Sequence, residues 1–214
     1  SFSCSGQLSA CGLPADAKFV IGASWDNNVY SYSVPNACAI CKVNAHDDGV
    51  SDLQLSADGT RLVTGAWDAI VKVWEVERGR ILSNPLVEFY DHENLVQSVG
   101  MDVSMSYVAG GADDGTLIAW DIRSESILFT ASTSPSGRAV MSLHWMQLAA
   151  PTILCSTADG FIRIYDLAGT PIAWIQIETV VNKLCFDGRA IFGACKDGSI
   201  RVWVLEGVDI VYVA

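Results

Sequence analysis

A nine-residue phrase returns five times along this chain: SWDNNVYSY at 24–32, AWDAIVKVW at 66–74, ADDGTLIAW at 112–120, TADGFIRIY at 157–165 and CKDGSIRVW at 195–203. In each, an aspartate stands third and an aromatic residue follows six places later. Asp26, Asp68, Asp114, Asp159 and Asp197 are spaced by 42, 46, 45 and 38 residues. A period in that range means an array of similar units, none of which buries its apolar face alone.

The local chemistry of each phrase is a β-hairpin. Asp-Gly at 114–115, 159–160 and 197–198 supplies a tight turn that tolerates positive φ. Asn27-Asn28 and Asp68-Ala69 are weaker versions. Short runs rich in Val, Ile, Leu and aromatics flank the turns, such as RLVTGA before and IVKVW after. They are apolar on both faces, as strands buried on both sides require. No stretch sustains a helical period, so the chain reads as all β. Second turns at ADGT (57–60) and FDGR (186–189) point to four strands per unit. His46 and His92 each precede their turn aspartate by 22 residues and their tryptophan by 28.

These marks resemble the WD-repeat family over nearly the whole chain. The resemblance implies a β-propeller, in that family of seven four-stranded blades, of which five are visible here. The 1–214 segment then reads as a partial propeller with blades near 5–45, 46–91, 92–135, 136–176 and 177–214. Residues 1–4 read as the tail of an earlier blade, and further blades are expected before Ser1 and after Ala214. The resemblance gives blade two the family's structural tetrad: His46, Thr64, Asp68 and Trp74. Blade three keeps His92, Asp114 and Trp120 but has Gly110 in place of the hydroxyl. Tyr32 and Tyr165 occupy the tryptophan position in blades one and four, and Trp203 occupies it in blade five. Ser136 and Ile177 stand where blades four and five would carry the histidine.

SWDNNVYSYS, HDDGVS and AWDAIVKVW resemble more narrowly the C-terminal propeller of BEACH-domain scaffold proteins, with support from SFSCSGQLSACGLP and LCFDGRAIFGACKDGSIRVWVLEG. That resemblance implies a non-catalytic adaptor in membrane trafficking or receptor signalling, with a BEACH domain upstream. A WD-repeat subunit of an unrelated assembly, such as a ubiquitin ligase or ciliary complex, is the alternative. In the WD fold the residue before each turn aspartate stands on the top face, here Trp25, Trp67, Asp113, Ala158 and Lys196. The start of the innermost strand adds Leu95 and Gln97 in blade three, Met141 in blade four and Asn182 in blade five. Trp25 and Trp67, with Leu95 next along, would make an apolar patch for a protein or peptide partner. The alternative is that each indole lies flat as packing.

Other chemistry is poorly supported. A His–Thr–Asp set suggests nucleophilic catalysis, but the same spacing recurs with the hydroxyl missing, so the chain reads as no enzyme. His144, in MSLHW, reads as a satisfied strand residue. Cys38 and Cys41 form a lone CxxC in a strand, where residues three apart point to opposite faces, so no metal is expected. GGADDG (110–115) has no following helix to make a nucleotide loop, and no cofactor is expected. Acidic residues outnumber basic ones 24 to 13, a net charge of −11, which repels a phosphate backbone and an anionic membrane. No apolar run approaches the roughly 18 residues that cross a bilayer, so no membrane insertion is expected. Seven scattered cysteines and no Asn-x-Ser/Thr site lean towards a cytoplasmic location, peripheral to membranes at most.

Overall fold

A computed structural model of the chain describes residues 4–206 and 209–213. The expectation for residues 1–4 falls mostly outside them. The described residues are all β, without a helix, and form five antiparallel sheets. Blade one pairs Leu8–Gly12, Phe19–Ser24, Asn28–Ser33 and Cys38–Asn44 in chain order, and blades three to five repeat that meander. Their innermost strands are Val96–Met101, Val140–Gln147 and Val181–Phe186. The turn after each second strand takes positive φ at Asn27, Ala69, Gly115, Gly160 and Gly198. Asparagine tolerates that region, whereas Ala69 carries a cost that its surroundings must offset.

Blade two departs from the pattern. Its outer edge is split into Arg80–Ile81 and Val87–Phe89, both paired with Val71–Glu77. Pro85, in the intervening LSNPL, has no N–H to give to a ladder, so the strand breaks there.

The core lies between blades. Each of the four interfaces between consecutive blades holds one apolar cluster. Trp74 packs on Ile21 and Val29 of blade one, and Trp120 packs with Val63 and Val71 of blade two. Tyr165 and Trp203 do the same for the last two interfaces. In blades two to five the aromatic residue six places after the turn aspartate is therefore the wedge driven against the preceding blade. Innermost strands are also laced together by polar side chains. Asp52 accepts the Val99 N–H at 3.2 Å, Ser98 the Leu143 N–H at 2.9 Å and Ser142 the Leu184 N–H at 3.0 Å. The corresponding residue of blade five is Lys183, whose ammonium reaches back to Asp52 of blade two at 3.0 Å. That ion pair spans 131 residues of sequence and joins two innermost strands that are not neighbours.

The five turn aspartates take different partners. Asp68 binds His46 Nδ1 at 2.9 Å, and Thr64 Oγ1 binds both His46 Nε2 at 2.8 Å and Trp74 Nε1 at 2.9 Å. Burial opposes ionisation of Asp68, but His46 and the Asp47 and Ile70 N–H groups outweigh it and hold the carboxyl below its usual range. Asp26 instead accepts from Tyr30 and Ser5 hydroxyls, and Asp159 from Ser134, Ser136 and Thr157. Asp197 is held by Ser199 and Arg201. In blade three, Asp114 accepts the Thr116 N–H, while both nitrogens of buried His92 lack a partner among the described residues. The Trp120 indole donates to Asp91 instead.

Candidate functional site

One backbone bond per blade holds the residue before the turn aspartate at the top face. The N–H of Trp25, Trp67, Asp113, Ala158 and Lys196 donates to the carbonyl of Gln7, Gly49, Leu95, Ala139 and Val180, at 2.8 to 3.0 Å. The brace ties each turn to the lead-in of its own innermost strand. It fixes where these five side chains emerge, whatever their chemistry.

Blades one and two put tryptophan there. The Trp25 and Trp67 rings lie 5.3 Å apart at 40°, in mutual contact. Trp25 is 45% exposed, and Trp67 is half-buried with its indole N–H buried and unpaired. The two are brought together by the lead-in of blade two. The Ala45 and His46 N–H groups donate to Asn27 of the blade-one turn, and Asn27 Nδ2 donates to the Asp47 carbonyl at 3.0 Å. Gly49 lies between them: a Cβ there would come within 3.0 Å of the Trp67 ring and 3.4 Å of the Trp25 backbone. A larger residue would press on the Trp67 ring.

Leu95 is exposed on blade three. Beside it, Gln97 Nε2 donates to exposed Asp113 at 3.1 Å. Gln97, Met141 and Asn182 share a structural position, since a bulge breaks the register there in each innermost strand. Such a residue has no cross-strand partner, and its side chain is free to be re-aimed. Met141 is half-buried, and Asn182 and Lys196 are exposed. These three stand on blades four and five, and no described hydrogen bond or ion pair links them to the tryptophan pair.

Several residues around the pair escaped sequence reasoning. Asp47 and Asp48 are exposed immediately before Gly49. Tyr90, 64% exposed, hydrogen-bonds Glu88; that bond, then burial, then the charges of Glu88, Asp68 and Asp47 push its phenol up. The signal for Gly49 was available in HDDGVS, whose glycine has no positive-φ requirement and so must serve a close approach. Tyr90 had no periodic signal, because it follows the split outer strand peculiar to blade two.

His144 is a half-buried residue of its strand, and burial and then the Lys183 charge push it down. One expectation changes with the geometry: strict alternation fails at the CxxC. A register shift lets Ser31 oppose Cys41 and Tyr32 oppose Ala39, leaving Ile40 as the extra residue. Cys38 is exposed, whereas Cys41 packs on the first apolar cluster and accepts the Ile81 N–H. Among the described residues, no three His, Cys, Asp or Glu side chains gather as a metal site.

A family model for "WD domain, G-beta repeat" matches residues 38–75 and 83–121, which cover the outer strand of blade one, most of blade two and the first three strands of blade three. Similar curated proteins include a ribosome biogenesis protein WDR12 homolog of Drosophila erecta, 32% identical over 155 residues, 66% of this chain and 35% of that protein. The cross-pathway control WD-repeat protein 2 of Flammulina velutipes is 24% identical over 182 residues, 77% of this chain and 54% of the relative. BEACH domain-containing protein B of Arabidopsis thaliana is 23% identical over 228 residues, 95% of this chain and 9% of the relative. The chain thus spans about half or less of these relatives. With matched WD repeats and five meandering sheets, its fold is a WD-repeat β-propeller.

Proposed function

We propose that the chain is a non-catalytic protein-interaction scaffold that docks its partner on the top face, with the Trp25–Trp67 pair as anchor. The carrying observation is that contact pair, open to solvent at Trp25; Leu95 of blade three is exposed as well. Aromatic anchors are enriched among residues that dominate binding energy. Gln97, Asp113, Met141, Asn182 and Lys196 form the variable remainder of the face, where partner choice would be made. The tetrad of blade two supports the face from below by fixing the loop that carries Gly49.

The finer reading is a propeller of a BEACH-type adaptor in membrane trafficking or receptor signalling, cytoplasmic and peripheral to membranes. It is supported by SWDNNVYSYS with HDDGVS, which resembles the factor associated with neutral sphingomyelinase activation, and by similarity to a plant BEACH-domain protein along 95% of this chain. A second reading, a WD-repeat subunit of an unrelated assembly, is favoured by the higher identity to ribosome biogenesis relatives over a shorter stretch. Sequencing the transcript upstream of Ser1 separates them: codons for a BEACH domain sink the second.

The docking reading is tested by affinity capture with quantitative mass spectrometry, comparing the wild type with Trp25→Ala/Leu95→Ala. Loss of a common set of proteins, with the fold retained, supports it. An unchanged set of captured proteins sinks it.

A further inference from the structure

The docking face has an unneutralised charge beside its apolar floor. Asp47 and Asp48 are exposed and adjoin Gly49, over which Trp25 and Trp67 meet. Neither forms an ion pair with a described residue, and neither does exposed Asp113 on the next blade. Lys72 is already engaged by Glu88 at 2.8 Å, Lys42 lies over the Tyr30 ring, and Asp68 is engaged by His46. Tyr90, most of its ring exposed, lies close enough to Asp47 and Asp68 to feel both charges.

Resting on the docking reading above, we infer that this face takes a cationic peptide segment: lysine or arginine next to an apolar side chain, presented by another protein. The apolar residue covers the Trp25–Trp67 floor. The ammonium or guanidinium meets Asp47 and Asp48, and the solvent-exposed face of Trp25 or Tyr90 offers a cation–π contact. The charge of the whole chain, −11, steers such a segment inward and repels acidic or phosphorylated ones. Gly49 lets the Trp67 ring lie close against the blade-two backbone, since a Cβ there would come within 3.0 Å of it.

The test is selection of a random dodecapeptide library, displayed on phage, against the whole 214-residue chain, followed by titration of the enriched peptides against variants. Enrichment of Lys or Arg beside apolar residues is expected. Affinity should fall at least tenfold in Trp25→Ala and in Asp47→Asn/Asp48→Asn, and should weaken as salt rises. The asparagine at 48 retains the oxygen that accepts the Gly49 N–H, so that variant isolates charge. Peptides that depend on Trp25 but are neutral or acidic overturn the cationic assignment and leave the docking reading standing. An absence of any peptide that depends on Trp25 overturns both.

Discussion

Blades two and three begin from nearly the same residues and end in different chemistry. Each has a buried histidine 22 residues before its turn aspartate and a buried tryptophan six after it. In blade two these groups form a continuous chain of hydrogen bonds through the Thr64 hydroxyl. In blade three Gly110 stands where that hydroxyl would be, and the imidazole has moved into the vacated room. A Cβ at Gly110 would fall 2.7 Å from His92 Nε2. Having moved, His92 bonds neither Asp114 nor Trp120, stacks edge-on against the indole at 5.5 Å, and leaves the indole N–H to Asp91. One missing side chain has thus converted a polar relay into a packed, unpaired histidine.

The comparison is broken most forcefully at the aspartates. Asp68→Ala leaves buried His46 Nδ1 and two loop N–H groups unpaired and should cost about 3 kcal/mol, whereas Asp114→Ala removes one backbone bond and should cost about 1 kcal/mol. Urea denaturation of both variants measures the gap, and equal losses would mean that the relay adds nothing. The tryptophans sharpen it next. Trp74 donates to Thr64, but the Trp203 indole N–H is buried without a partner. Trp74→Phe should therefore cost about 1–2 kcal/mol more than Trp203→Phe, the shared loss of ring volume cancelling.

Acid separates the blades as well. Burial, only partly offset by Asp114 and other groups, pushes His92 down to about 4 from an ordinary 6.5. The unfolded chain therefore takes up a proton that the folded one refuses. Stability is full above pH 6.5 and falls through the window down to about 4. By pH 5.5 the loss from this group is about 1.4 kcal/mol. Asp68, held below its usual range, adds its own loss at lower pH. In His92→Leu the decline between pH 6.5 and 5.5 should flatten, as chemical denaturation across that range would register.

The last effect belongs to the exposed partner of the indole pair. Trp25→Ala should cost about 1–2 kcal/mol, because only about half its surface is covered. A Tm drop of ten degrees would recast the pair as packing.

Much of this molecule was legible in its amino acids. The aspartate period, the Asp-Gly turns and the apolar runs beside them are local signals, so the all-β meander of four strands per unit follows directly from them. The aromatic residue after the turn is buried in blades two to five, since a half-apolar chain of repeated hairpins has only inter-blade space to fill. The positions of the top-face residues follow from the same register. Their relationships do not. Trp25 and Trp67 meet only because Gly49 and the Asn27–Asp47 bond bring two separate turns together. Lys183 finds Asp52 only when the blades curve around a common centre, and His92 lies edge-on to Trp120, in the room that Gly110 leaves, rather than on Asp114. Hairpin chemistry is written within a few neighbouring residues, whereas these contacts depend on how whole blades pack, and packing is decided by every side chain at the interface together.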